Sequence, residues 1–407
     1  MERRRENMNL MRDQAQDILP WGDTEYIKNP YPWYETARKD WPIYRSLDGT
    51  FVVTRYDDVV KFGKLPSLSI VDPEWVPKGP WAALSTTVLG LDPPQHTEMR
   101  RRGNKWFTPK LVKEWSKIAE AFVRNQIATL KDHEVFDANM YLGVGPTHSA
   151  MCGALQLPAD DFEPVIFSMH GTMAALSAEA DEEVIKKATE AFDYQLGRMR
   201  KMLEWKRVNP GTGMADALLE AESKGEMTSA EVEQTLALFW ASGGHNPSYI
   251  ISSAIQHFAR HPEIYEIYRS KPELRTGILN EIFRLYPPEL SFARWVREPL
   301  EIQGQTIEVG ERVKFIIDSA NRDPEAFPNP DVLDMNRAPE AAMNVSFGMG
   351  PHQCAGQIIS RTEVEVVLDT LAELVERFEI RGVPEMDNTD RSRAYVNLPI
   401  SIVKVKS

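Results

Sequence analysis

The chain has 407 residues, a net charge of −13, 42% hydrophobic and 26% charged residues, and two cysteines. This is the make-up of a globular protein with a core; the acidic balance excludes nucleic acid as a general partner, and two thiols are too few for a disulfide framework, which points to a reducing compartment. The opening stretch MERRRENMNLMRDQAQDILPW has no apolar run long enough for a signal peptide or a membrane span, so a cytoplasmic protein with no membrane attachment is expected.

Residues 1–30 are expected to form an N-terminal extension and residues 31–407 one continuous domain, since no internal repeat, low-complexity linker or composition shift divides the chain. The first ninety residues mix strand-like pieces such as FVVTRY with loops rich in Pro and Trp, among them PEWVPKGPWAAL. From about residue 94 to residue 285 the apolar spacing is helical. Within it HTEMRRRGNKWFTPKLVK is locally basic, and reads either as a solvated helix face or as a docking patch for an acidic partner. AEVEQTLALFWAS and SYIISSAIQHFARH flank GGHNP, which is predicted to interrupt and kink one buried helix: Pro247 has no N–H for the carbonyl of Gly243, and its ring crowds that turn. LRTGILNEIFRLYPP is a shorter helix ended by Pro287 and Pro288. LEIQGQTIEVGERVKFII reads as hairpins, GQIISRTEVEVVLDTLAELVERF as the last long helix, and YVNLPISIVKV as a closing strand. The expected fold class is mainly α with minor β.

FGMGPHQCAG, residues 347–356, sets Cys354 just ahead of that last helix, where the dipole and the free N–H groups favour a thiolate. Gly350 can turn the backbone tightly, Gly356 lets it approach a flat object, and Phe347 could cover one side of that object. The layout suits one axial ligand to a planar cofactor; an ordinary buried cysteine at a helix start is the plainer alternative. The spacing of Phe347, Gly350, Cys354 and Gly356, with His352 two before the cysteine, resembles the haem-binding signature of the cytochrome P450 family. EIFR, with Glu281 and Arg284 one turn apart, looks like that family's Glu-x-x-Arg motif, and Arg337 like the arginine that completes its triad. DPPQHTEMR, with His96 and Arg100, resembles the helix that binds the haem propionates; SFARWV supplies Arg294.

The resemblance runs from about residue 31 to the C-terminus. It implies a cytochrome P450 fold of the soluble bacterial type, a single large helical domain with small β-sheets around haem b (iron protoporphyrin IX). Cys354 would be the metal ligand, and cationic His96, Arg100, Arg294 and His352 would neutralise the two haem carboxylates. A substrate pocket is implied around Trp81, Met169, Met173, Phe239, Leu290, Phe292 and Asn397, rich in aromatic and Met side chains that suit a bulky apolar or aromatic ligand. With the length used up by the haem fold, electrons would come from a separate ferredoxin and its ferredoxin reductase, docked on the basic run Arg100, Arg101, Arg102, Lys105, Lys110 and Lys113. A monomer is expected, acting with dioxygen on a small molecule or peptide of secondary metabolism.

In the family the helix across the open face of the haem carries an acid followed by Thr. Here Gly243, Gly244, His245, Asn246 and Pro247 occupy that stretch, and neither possible register restores the pair. In one reading His245 or Asn246 organises water that carries protons, and the enzyme is a monooxygenase. In another the substrate supplies its own acidic group, and the enzyme couples the aromatic rings of a peptide without inserting oxygen. A non-catalytic haem-thiolate binding or sensor protein is the reading from a different class.

Overall fold

The computed structural model describes residues 18–71, 79–104, 106–158, 171–172, 174–176, 180–338, 342–387 and 389–406. The helices that carry the architecture are α1 (Tyr31–Asp40), α2 (Gln95–Asn104), α3 (Pro109–Thr129), α4 (Gly145–Ala154), α5 (Glu182–Val208), α6 (Ser229–Arg260), α7 (Arg275–Leu285) and α8 (Gln357–Leu374). Their starts are written in the sequence. Thr108, Asp181 and Thr228 each accept a hydrogen bond from a first-turn N–H, and Glu231 reaches back to the Thr228 N–H at 2.7 Å to close a capping box on α6.

The strands are β1 (Ile43–Arg45), β2 (Phe51–Val53), β3 (Leu68–Ser69), β4 (Phe136–Asp137), β5 (Ser291–Val296), β6 (Leu300–Ile302), β7 (Gln305–Ile307), β8 (Arg312–Ile316), β9 (Val375–Ile380), β10 (Glu385–Met386), β11 (Tyr395–Asn397) and β12 (Pro399–Lys404). Five form one sheet in the order β1-β2-β8-β5-β3, in which only β2 and β8 run parallel. The others make a three-stranded sheet, β4-β12-β9, and two hairpin-like pairs, β6-β7 and β10-β11. Among the described residues the fold is mainly α with minor β, as the periodicity predicts.

One apolar core joins α3, α6, α7 and α8 to β9 and β12, a second lies between α3, α4, α5 and the first half of α6, and a third backs the five-stranded sheet. Three expectations change. Residues 18–30 are packed: Leu19 and Tyr26 are buried with Tyr34, Tyr44 and Ile316 in an aromatic cluster. The last long helix stops at Leu374, because Val375 and Phe378 belong to β9, where the backbone pairs with β12. And α6 runs unbroken across Pro247. Packing holds it there: the Gly244 carbonyl accepts from the Thr147 hydroxyl (2.6 Å) and the His245 carbonyl from the Ser248 hydroxyl (2.6 Å).

The cysteine loop is positioned by a buried ion pair. Glu281 and Arg284, both on α7, form two parallel hydrogen bonds of 2.7 Å. Arg337 Nε lies 3.2 Å from Glu281 Oε1. Arg284 also donates to the carbonyls of Asn321 (2.9 Å) and Pro330 (2.6 Å), and Glu281 accepts from the N–H of Asp334 (3.1 Å). Asn321 in turn holds the Val345 N–H (2.8 Å) and the Ser346 hydroxyl (2.9 Å), immediately before Phe347. Replacing Glu281 with Gln strands Arg284 as an uncompensated buried charge. The expected cost is about 3–5 kcal/mol, read as a lowered denaturation midpoint in urea.

Candidate active site

At the start of the cysteine loop Phe347 packs on Phe283 of α7, with ring centroids 5.3 Å apart, and the Arg361 guanidinium lies 5.1 Å from its ring. The Cys354 N–H donates to the Phe347 carbonyl at 2.8 Å, closing the loop on itself. Gly350 has φ +70°, and a Cβ there would press on the backbone of Lys64 at 2.9 Å, so the turn needs glycine twice over. Gly356 caps α8, and a Cβ there would meet nothing of the chain but the Cys354 sulfur, at 3.8 Å.

Cys354 is exposed, yet burial pushes its thiol up. Its side chain thus keeps some open surface while the surrounding protein desolvates the rest. The Gly356 N–H and the Arg100 guanidinium oppose the rise.

Four basic side chains gather near the cysteine loop. Arg100, on α2, donates to the Gln353 carbonyl at 2.9 Å, next to the cysteine. Arg294, on β5, donates to the Ala293 carbonyl at 2.8 Å and lies 4.9 Å from the ring of Phe292. The rings of His96 and His352 are 4.1 Å apart, and the Nε2 atom of each is buried without a hydrogen-bond partner. Asp92 stands 3.7 Å from His352, but its carboxylate is engaged by the Ser69 hydroxyl and the Ile70 N–H. Burial lowers all four basic groups, with Arg294 at about 10 and His352 at about 4. At both histidines desolvation outweighs the neighbouring Asp92 carboxylate and favours the neutral form, where the sequence reading has them cationic.

No carboxylate among the described residues lies within ion-pair distance of Arg100 or Arg294. Two guanidiniums and two orphaned imidazoles around an accessible sulfur fit a planar, dianionic cofactor whose metal takes a thiolate.

The short helix α2 also fixes the opposite wall. One turn beyond Arg100, a Cβ on Gly103 would touch Phe239 of α6 at 3.3 Å. Ala355, next to the cysteine, packs in the same apolar cluster as Met99, Phe239 and Ala241. On α6, Ser242 is exposed and Asn246 half-buried, in mid-helix, three and seven residues after Phe239 and so on its face. The other residues of GGHNP turn elsewhere. A Cβ on Gly243 would overlap the Met151 sulfur, and one on Gly244 would meet the Cα of His148 at 3.4 Å; these glycines let α4 approach. His245 is buried with Nδ1 2.8 Å from the Tyr249 hydroxyl. Ser242 lies one residue before GGHNP, outside both registers of that stretch; its spacing of four from Asn246 is the signal the sequence carries for it.

Of the substrate positions, Leu290 and Phe292 are buried on β5 and the turn before it, and Phe292 stacks on Phe315 at 5.0 Å under Arg294. Phe239 meets Phe107 at 5.2 Å. Asn397 pairs across β11 with Glu385, and no contact among the described residues joins it to the cysteine loop. Met169 and Met173 lie outside the described residues, and of Trp81 only the backbone, in a short helix Pro80–Leu84, is described.

Fold and site together define a thiolate-ligated haem enzyme. The family model for Cytochrome P450 matches residues 268–403. Cytochrome P450 105A3 of Streptomyces carbophilus is 30% identical over 293 residues, which span 70% of this chain and 68% of that protein. Nocardicin C N-oxygenase of Nocardia uniformis subsp. tsuyamanensis is 27% identical over 398 residues, 94% of this chain and 98% of that one. The solved structure of epothilone D-bound cytochrome P450epoK superposes with a TM-score of 0.85 at 24% identity, covering 95% of this chain and 99% of that one. The chain belongs to the cytochrome P450 family, in its bacterial form, and is a haem-thiolate oxidoreductase of the monooxygenase kind. Among the described residues no helix is long and apolar enough to cross a membrane.

Proposed function

We propose that Cys354 ligates the iron of haem b, that His96, Arg100, Arg294 and His352 hold its carboxylates, and that the enzyme inserts oxygen into a bulky apolar or aromatic small molecule or peptide of secondary metabolism. The observation that carries this is an exposed Cys354 accompanied by two guanidiniums without a carboxylate partner among the described residues and two buried imidazole Nε2 atoms without a hydrogen bond. Haem bound there supplies dioxygen activation, favoured by an electron-rich thiolate. Because burial raises the free thiol, the metal's own charge must hold the sulfur as an anion. The unpaired Nε2 atoms and the two guanidiniums then give the carboxylates charge-assisted hydrogen bonds. The names of Nocardicin C N-oxygenase and of an Epothilone C/D epoxidase from Sorangium cellulosum, 26% identical, support a secondary metabolite as substrate. Phe239, Leu290 and Phe292 give such a ligand an apolar wall.

On the open side Asn246 keeps the water-ordering role that the sequence reading offered to His245 or Asn246, and Ser242 joins it in place of His245. A hydroxyl and an amide one turn apart can order a water and pass its protons, whereas the His245 ring is occupied with Tyr249. Electrons come from a separate ferredoxin with its reductase. Arg101, Lys110 and Lys113 are exposed for its docking; Arg102 is bound to Glu98 at 2.9 Å, and Lys105 lies outside the described residues.

Mass spectrometry of a turnover tests the outcome: a gain of one oxygen is expected, and a loss of two hydrogens would instead establish aromatic coupling. Ser242→Ala and Asn246→Leu should each divert electrons to peroxide and slow product formation by about tenfold, while Tyr249→Phe leaves the electron yield unchanged; unaltered peroxide in both of the first two variants removes the relay. Charge reversal by Arg101→Glu with Lys113→Glu should slow reduction by ferredoxin several-fold, more at low ionic strength than at high, as read by stopped-flow absorbance.

A further inference from the structure

One face of α5 looks outward along most of its length. Lys187, Glu190, Tyr194, Gly197, Lys201 and Glu204 recur at alternating steps of three and four residues, so they form one row parallel to the helix axis; five are exposed and Gly197 is half-buried. Tyr194 keeps 40% of its surface in water, and Trp205, on the same side, 43%. Glu190, Lys201 and Glu204 have no ion pair among the described residues, and Lys187 meets only Glu183 of its own helix, at 3.2 Å and in water. Gly197 stands in the middle of this row. Glycine is a poor helix residue, yet a Cβ at Gly197 would meet nothing among the described residues within 4 Å, so no neighbour inside the chain calls for it.

The charges of this face decide what can cover it. Glu183, Glu190 and Glu204 are balanced by Lys186, Lys187 and Lys201, so a strongly acidic or strongly basic partner would meet as much repulsion as attraction. A second copy of the same helix, run antiparallel, does not. With a two-fold axis midway between residues 195 and 196, Lys187 faces Glu204 and Glu190 faces Lys201, each twice by symmetry, while the Tyr194 ring comes over Gly197. On the flanks Lys186 faces the Trp205 ring and Asp193 faces Arg198, and no like charges meet. The row allows the helices to slide only by whole heptads. One step either way sets Lys186 against Arg198, or Arg198 against Arg200.

We propose that the outward face of α5 is a dimerisation surface for a second copy of this chain, two α5 helices pairing antiparallel with Tyr194 of each seated on the partner's Gly197, where the sequence reading expects a monomer. The proposal does not depend on the haem-thiolate reading of Cys354. The row from Lys187 to Glu204 is about 26 Å of helix and mostly polar, less than a permanent dimer buries, so the association is reversible and sensitive to salt.

Sedimentation velocity of the holoenzyme from about 5 to about 500 µM tests it. The average mass should rise toward twice that of the chain, with a Kd on the order of 10–100 µM that grows several-fold when salt is raised from about 0.05 to about 0.5 M. Glu190→Lys and Lys201→Glu should each weaken association about tenfold, and the two together should restore it. Glu190 and Lys201 are about three turns apart on one helix and cannot meet within a chain, so that rescue reads a contact between copies. Gly197→Trp fills the seat of the Tyr194 ring and should abolish the dimer. All three positions lie on the outer face of the helix, and far-ultraviolet circular dichroism checks that each variant is folded; the salt series needs no variant at all. A parent protein that stays monomeric over the whole range, a dimer indifferent to both charge reversals, or a double variant no tighter than the single ones overturns the proposal.

Discussion

Glu281 and Arg284 lie almost wholly out of water, and neither could be there without the other, because an unpaired charge at that depth costs several kcal/mol. What makes the pair an organiser is that two hydrogen bonds between them do not exhaust their capacity. The remaining guanidinium protons go to carbonyls of Asn321 and Pro330, a carboxylate lone pair accepts the Asp334 N–H, and the Arg337 charge stands 3.2 Å from Glu281. The segment between the five-stranded sheet and the cysteine loop, which has little regular structure of its own, is therefore fixed by side chains on α7. Through Asn321 the constraint passes to Val345 and Ser346, and the Phe283–Phe347 contact carries it into the loop that presents the sulfur.

The loop so fixed presents an exposed Cys354. The site carries groups that are costly in isolation: buried guanidiniums, imidazoles with unpaired nitrogens and a thiol raised by desolvation. A metal-centred macrocycle with two carboxylates, held as proposed, would offset these costs.

The distal helix shows how a local rule is outweighed by packing. A proline in the interior of a helix removes a hydrogen bond and crowds the preceding turn, yet α6 continues because hydroxyls of Thr147 and Ser248 bind carbonyls beside the gap, and because Gly143, Gly243 and Gly244 let α4 and the turn before it come close. The same close packing assigns the polar residues to sides. His245 is drawn into the interior with Tyr249, and Ser242 and Asn246 keep the face shared with Phe239. Which residues of this stretch share the face of Phe239 was a matter of helix rotation, and rotation is set by neighbours far away in the sequence.

Local spacing sufficed for part of this protein. The helix starts at Thr228 and Asp181, the turn at Gly350, the α7 pairing of Glu281 with Arg284 and the cysteine ahead of α8 involve residues within a few positions of one another, so the sequence by itself determined them. It also determined the mainly helical class, since apolar period reports the element directly. Only the tertiary structure decided that residues 18–30 join the core, that Val375 leaves the helix for a strand, that Arg102 is taken by Glu98, and that Glu289 meets Arg391 across a hundred residues. Those outcomes depend on which distant groups come within a few ångströms, a quantity that neither propensity nor periodicity encodes.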